Sequence, residues 1–391
     1  MLNTSLSPWP SFTQEEADAV SKVLLSNKVN YWTGTECREF EKEFAAFAGT
    51  QYAVALSNGT LALDVALKAM GIGAGDDVIV TSRTFLASAS CIVTAGANPV
   101  FADVDLNSQN ISAETIKAVL TPNTKAIIVV HLAGMPAEMD GIMDLAKEHD
   151  LWVIEDCAQA HGAKYKGKSV GSIGHVGAWS FCQDKIMTTG GEGGMVTTND
   201  KELWSKMWSY KDHGKSYDAA YHREHAPGFR WLHESFGTNW RMMEMQAVIG
   251  RIQLKRMPEW TARRQAHAAK LAESLGKFAS IRLIEVADYI EHAQYKFYAF
   301  VKPEHLKDGW TRDRIVSELN ARKVPCYQGS CSEVYLEKAF DNTPWRPKER
   351  LKNAVQLGDT SLMFLVHPTL TDGEIAFCKE HIEAVLAEAT A

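Results

Sequence analysis

Ala126-Ile127-Ile128-Val129-Val130, a helical pattern over residues 139–149, and then Leu151-Trp152-Val153-Ile154 decide the fold class of this chain. Both apolar runs lack the alternation of a half-exposed strand, as strands buried on two faces require. Strand, helix, strand in that order implies parallel strands joined by a crossover. The unit repeats upstream. Ala53-Val54-Ala55-Leu56 reads as a strand, with apolar residues at helical spacing over residues 61–70. Val78-Ile79-Val80 and Pro99-Val100-Phe101-Ala102 read as strands around a helix over residues 88–95. An α/β layer fold with a mostly parallel sheet is expected.

Downstream the pattern changes. A long helical stretch over residues 242–275, interrupted near Pro258, leads into a mixed tail. Residues 295–301 alternate like a half-exposed strand, 312–322 read as a helix, 362–366 as a strand and 375–387 as a closing helix. The expected division is a large domain over residues 1–255, including an N-terminal segment, and a smaller α+β domain over 256–391. A chain of 391 residues with 46% hydrophobic content can bury two such cores.

The formal net charge of −7 argues against a nucleic-acid binder, which needs clustered Lys and Arg. None of the seven cysteines forms a CxxC pair, and Cys326 with Cys331 lacks a second ligand pair, so no metal site is expected. Scattered cysteines suit a reducing compartment. Met1-Leu2-Asn3-Thr4-Ser5 lacks the basic start and apolar core of a signal peptide, and no apolar run reaches membrane-spanning length. A cytoplasmic protein with no membrane partner is expected.

Four local features carry chemistry. Ser57-Asn58-Gly59-Thr60 joins a strand to a helix, where free backbone amides suit a phosphate; the plain alternative is a turn and a cap. Glu155-Asp156-Cys157-Ala158-Gln159 closes an apolar strand, the end at which parallel sheets gather ligands. A carboxylate there can keep a pyridine nitrogen protonated, the electron sink of pyridoxal phosphate chemistry, or can merely cap a helix. Ser180-Phe181-Cys182-Gln183-Asp184-Lys185 offers a hydroxyl for phosphate and an amine for imine formation, although a lone Lys after a strand is usually solvated. Gly190-Gly191-Glu192-Gly193-Gly194 signals unusual dihedrals or close backbone approach, or a flexible loop, and is not a P-loop.

In combination these segments resemble the sugar aminotransferases of the DegT/DnrJ/StrS family. The resemblance rests on "SNGTLAL" at 57–63, "TFLASA" at 84–89, "VIEDCAQAHGA" at 153–163, "SFCQDKIMTTGGEGG" at 180–194 and "GTNWRMMEMQAVIG" at 237–250. It implies the fold of aspartate aminotransferase, fold type I of the pyridoxal-phosphate enzymes. By resemblance, Lys185 would bind the cofactor covalently and shuttle the proton. Asp156 would pair with the pyridine nitrogen, Gln159 with the ring hydroxyl, and Phe85 would stack on the ring. Gly59, Thr60 and Ser180 would hold the phosphate, joined by Asn239 from the neighbouring subunit of a homodimer with shared active sites. Arg241 would neighbour a substrate carboxylate.

The implied reaction passes an amino group from L-glutamate, through pyridoxamine phosphate, to a nucleotide-linked keto sugar. Lysine at 185, where dehydratase relatives carry histidine, favours amine transfer. His161 is given no catalytic role. Cys182 departs from the aromatic or histidine of many relatives. "YKFYAF" at 295–300 and "VPCYQGSCSEVYLEKAF" at 324–340 look like members acting on 4-keto-6-deoxy sugars, with Ser332 and Glu333 where many carry a histidine. Amination at C4 is therefore expected, with dTDP-4-keto-6-deoxyglucose favoured and a 4-amino-4,6-dideoxy sugar for surface polysaccharide (lipopolysaccharide O-antigen) as the product. A UDP-N-acetyl-4-keto-6-deoxy sugar, and C3 amination of a 3-keto sugar, stay open. A non-catalytic regulator on the same fold is the alternative from another class; Lys185, Asp156 and Gln159 together argue against it.

Overall fold

The computed structural model describes residues 6–391, so Met1-Leu2-Asn3-Thr4-Ser5 lies outside the described residues. Helices α1 (Gln14–Leu25) and α2 (Glu36–Ala48) lead into β1 (Tyr52–Leu56). Then α3 (Gly59–Ala69), β2 (Asp77–Thr81), α4 (Ala87–Thr94), β3 (Asn98–Ala102) and α5 (Ala113–Lys117) alternate. They continue with β4 (Thr124–Val130), α6 (Met139–Glu148) and β5 (Trp152–Asp156). Short β6 (Lys164–Tyr165) and β7 (Lys168–Ser169) precede β8 (Val176–Ser180) and β9 (Gly194–Thr198).

The main sheet has seven strands in the order β1-β9-β8-β5-β4-β2-β3. β3, β2, β4, β5 and β8 are parallel to their neighbours, while β9 lies antiparallel between β8 and β1. The sequence pattern implied the parallel strands β2, β3, β4 and β5, whereas β8 was not read as a strand. β9 is the exception because residues 181–193 return the chain directly, without a crossover helix. That loop carries Lys185 and most of the glycine run.

Helices α7 (Lys201–Lys211), α8 (Tyr217–Tyr221) and α9 (Glu244–Leu275) follow. The remaining strands are β10 (Ile281–Leu283), β11 (Ile290–Glu291), β12 (Phe297–Val301), β13 (Cys326–Tyr327) and β14 (Ser361–Phe364). They come with α10 (Arg312–Ala321), α11 (Lys352–Thr360) and α12 (Asp372–Ala389). The strands form an antiparallel sheet in the order β10-β12-β14-β13, while β11 pairs with β6 of the N-terminal half.

Two readings of the sequence need correction. The helix over 242–275 is not interrupted at Pro258: α9 is continuous, and residue 255 lies inside it. Pro258 occupies the exposed side. Ala247 and Met257 before it are anchored in the core under the main sheet, and Ala268, Leu271 and Leu275 after it in the core of the small sheet. Packing on both sides of the proline outweighs its missing N–H and the ring clash. Nor does β12 present a half-exposed alternation, since all five residues are buried. Its odd positions, Phe297, Ala299 and Val301, pack with α12 and α9, while Tyr298 and Phe300 pack into a core shared with Ile79, Ile127 and Val153 of the main sheet. The strand alternates between two apolar layers, so its period was real and its solvent face was not.

Candidate active site

The carboxyl ends of β5 and β8 and the turn after β1 converge on a cavity of about 610 Å³. It brings together Gly59, Thr60, Phe85, Asp156, Gln159, Ser180 and Lys185, which the sequence scatters over more than a hundred positions. Crevices outside the carboxyl ends of parallel strands are where such sheets bind ligands.

One end is built for an anion. Asn58 caps α3, its side-chain oxygen accepting the N–H of Leu61 at 3.0 Å. The first amides of α3 carry the positive end of the helix dipole. Gly59 lies so close to β8 that a Cβ there would stand 2.5 Å from Ser180 Cβ and 2.9 Å from its Oγ. A Cβ on Gly194 would meet the Asn58 carbonyl oxygen at 2.2 Å. Glycine at both positions lets the turn press against the strand ends.

The cavity wall also holds a buried carboxylate. Asp156 accepts the Ser88 hydroxyl at 2.8 Å and the Ala158 N–H at 3.1 Å. Ser88 and Thr84 in turn share a hydrogen bond of 2.9 Å. Burial pushes the Asp156 carboxyl above its ordinary value, although Ser88 and Ala158 oppose the rise. Behind it, Glu155 is clamped by His131 Nε2 at 2.9 Å and by the N–H groups of Gly171, Ile173 and Gly174. His131 Nδ1 accepts the N–H of Ala137, which leaves the proton on Nε2 facing Glu155. This clamp fixes the strand end on which Asp156 stands.

Gln159 spends its carbonyl on the N–H of Ala133 at 2.8 Å, leaving its NH₂ group as donor. Phe85 is 68% exposed at the cavity wall. The Lys185 amine lies 3.8 Å from Asp184 Oδ1 and 5.4 Å from the Tyr295 ring centre. Its backbone carbonyl accepts the Trp9 indole N–H at 2.9 Å.

Residues 10–383 match the DegT/DnrJ/EryC1/StrS aminotransferase family. The chain belongs to that family. The crystal structure of an aminotransferase from Psychrobacter cryohalolentis is 65% identical, superposes with a TM-score of 0.96, and is covered to 99%, with 98% of this chain. The GDP-perosamine synthase of Caulobacter vibrioides is 41% identical over 86% of each chain. A dTDP-3-amino-3,4,6-trideoxy-alpha-D-glucose transaminase of Streptomyces venezuelae is 35% identical over 82% of this chain and 79% of its own.

Within this family member four expected residues lie outside the cavity lining. Asn239 is exposed, its backbone bridged to Asp212. Arg241 turns its guanidinium to Asp212 Oδ1 at 2.7 Å. Ser332 donates its hydroxyl to the Ala354 carbonyl, and Glu333 is taken up by Arg350 and by the Tyr335 hydroxyl at 2.5 Å. Their segment nonetheless docks beside the cavity, Thr84 N–H donating to the Cys331 carbonyl at 3.1 Å and Val334 N–H to that of Ser82 at 2.9 Å.

Sequence reasoning singled out neither Ser88 nor Tyr295 as a site residue. Ser88 stood inside the quoted segment at 84–89, one helical turn after Thr84, a spacing that could have marked it. Tyr295 is 111 residues from Asp184, and no local pattern links them. Among the described residues no helix is long and apolar enough to cross a membrane.

Proposed function

We propose that this aminotransferase moves an amino group from L-glutamate to C4 of a nucleotide-linked 4-keto-6-deoxyhexose, with the dTDP-glucose derivative favoured, using pyridoxal 5′-phosphate. The observation that carries it is a single cavity holding an amine, a buried carboxylate and an anion cradle. The residues fit that cofactor. Gly59 leaves open the space a Cβ would fill beside Ser180, and Asp156 is a buried carboxylate that accepts from Ser88 and Ala158 and, among the described residues, forms no ion pair. A protonated pyridine would supply its cation. When bound, the cofactor supplies an electron sink and accepts the amino group in the first half of the exchange.

This chain's residues do the rest. The amides of Gly59 and Thr60 and the Ser180 hydroxyl would bind the phosphate. Asp156 would hold the pyridine nitrogen protonated, Gln159 would donate to the ring hydroxyl, and Phe85 would cover the ring face. Lys185 Nζ would take the proton from the reacting carbon of glutamate and later return one to that of the sugar, so ping-pong kinetics are expected. Asn239 would complete the phosphate site of a second copy in a homodimer.

Gly59→Ala is expected to weaken cofactor binding about tenfold to a hundredfold, from about 1–3 kcal/mol of overpacking against Ser180. Titration of the cofactor-free chain with pyridoxal phosphate, followed by absorbance, measures it.

C4 is supported by the resemblance of the segments at 295–300 and 324–340, the second of which is joined to Thr84 of the cavity wall through the Cys331 carbonyl. The Ser332 and Glu333 side chains, being engaged elsewhere, act at most through that backbone. A second reading, amination at C3, is favoured by the Streptomyces venezuelae relative, whose name places the amine there. Incubation with glutamate and a panel of dTDP- and UDP-linked keto sugars, with NMR of the products, separates them. Turnover with 4-keto-6-deoxy sugars is expected; turnover restricted to a 3-keto sugar overturns the C4 assignment.

A further inference from the structure

Lys185 sits on a loop, yet its amine is held from a distant strand. Tyr295 is buried at 6% exposure just ahead of β12, and its backbone carbonyl accepts from Nη1 of Arg264, a buried residue of α9, at 3.4 Å. Its hydroxyl donates to Asp184 Oδ2, while Asp184 Oδ1 faces the Lys185 amine at 3.8 Å. The same tyrosine offers its ring to that amine, 5.4 Å from the centre. Asp184 itself is 57% exposed in its side chain. An unanchored aspartate on such a loop would sample rotamers pointing into solvent, and a surface pair so loosely held contributes little. Tyr295 removes that freedom.

Other charged and titratable groups surround the amine. Asp156 on β5, with Cys182 and Glu192 of its own loop, lines the cavity with it. Lys296 stands 4.7 Å from the Tyr295 ring, and Arg264 and His161 lie in the same buried shell. Burial holds His161 down to about 3 and Lys296 down to about 8, so His161 stays uncharged while Lys296 loses its charge in the range where amines titrate. Among the described residues, the ion pair made by Lys185 is with Asp184.

We propose that Asp184, oriented by Tyr295, is a positioning residue for Lys185: it keeps the amine at the cavity wall. It rests on the reading of Lys185 as the amine that moves the proton. The elements are chemically suited to this. Burial raises the Asp184 carboxyl, but Lys185, the Tyr295 hydroxyl and Lys296 together bring it below its ordinary value, so it is ionised. Burial, reinforced by the neighbouring Asp184 charge, pushes the Tyr295 phenol well above its ordinary value, so it remains a neutral donor. The proton taken by Lys185 Nζ thus meets a fixed anion, whose charge the phenol moderates.

The test uses the full chain freed of cofactor, and compares the rate of Lys185 labelling by trinitrobenzenesulfonate at one fixed pH, read by mass spectrometry of its peptide. Asp184→Asn is expected to raise the labelling rate several-fold by releasing the amine, and Asp184→Glu, which keeps the charge, to restore the wild-type rate. Tyr295→Phe keeps the ring, lets the carboxylate swing into solvent, and is expected to raise the rate in the same direction by a smaller factor. The double variant is expected to behave as Asp184→Asn alone. An unchanged rate in Asp184→Asn, or a Tyr295→Phe effect that adds to it in the double variant, overturns the proposal. Because the labelling needs no cofactor, it separates from the function proposed above, which falls if the wild-type chain develops no visible absorbance with pyridoxal phosphate.

Discussion

Lys185→Ala is expected to slow amine transfer roughly 10⁴-fold, the upper range for losing a positioned proton carrier. It is also expected to abolish the visible absorbance that the cofactor-loaded wild type shows. Both losses trace to one atom, since Nζ is the amine within the cavity. Structural collapse is not the expected cause. The side chain makes a loose 3.8 Å ion pair, while the backbone anchor, the carbonyl that accepts from Trp9, survives substitution. Single-turnover measurement with glutamate, alongside circular dichroism of the variant, checks both parts. Retained transfer with an unaltered spectrum would remove Lys185 from the chemistry.

The second large effect is expected at Asp156. Asp156→Asn keeps the size of the side chain and an oxygen for Ser88 or Ala158, but removes the buried negative charge. The expected cost is about 10²–10³-fold in kcat, comparable to the loss of a preorganised electrostatic partner in other enzymes. Cofactor affinity should change far less, because the substitution leaves Gly59, Thr60 and Ser180, the expected phosphate contacts, in place. Steady-state kinetics together with a cofactor titration separate the two quantities. A variant that binds the cofactor poorly yet turns over normally once saturated would assign Asp156 to holding rather than to activating.

β2, β3, β4 and β5 were legible because each is centred on a short run of consecutive apolar residues, whereas β8, with Gly177 and Ser180, offers no such run and was not read. The direction of β9 was not legible, since direction depends on what the intervening loop does. β12 shows the complementary limit. Alternation in a sequence records that two faces differ, and here Phe297 and Tyr298 face different cores rather than core and water. Pro258 misled for a related reason: the local penalty was visible, while the packing of Met257 and Leu271 on separate cores was not. The cavity was legible where its residues sit in strand-end turns, as Asp156, Ser180 and Gly59 do. Tyr295 was not, because its partner lies across the fold. Ser332 and Glu333 illustrate the reverse: proximity of the segment was inferred, but side chains at a rim turn according to neighbours such as Arg350 and Ala354.

The two-faced β12 bears on how relatives of this kind can be recombined. A chimera that takes its C-terminal third from another sequence, joined within α9, would import Tyr298 and Phe300 against the resident Ile79, Ile127 and Val153. Side chains fitted to one interior would be asked to fill another, where a change of even one methylene is felt. The even-numbered positions of β12 therefore travel with the parallel sheet, and the odd-numbered ones with α12. A graft that respects this partition changes the rim while leaving both interiors matched.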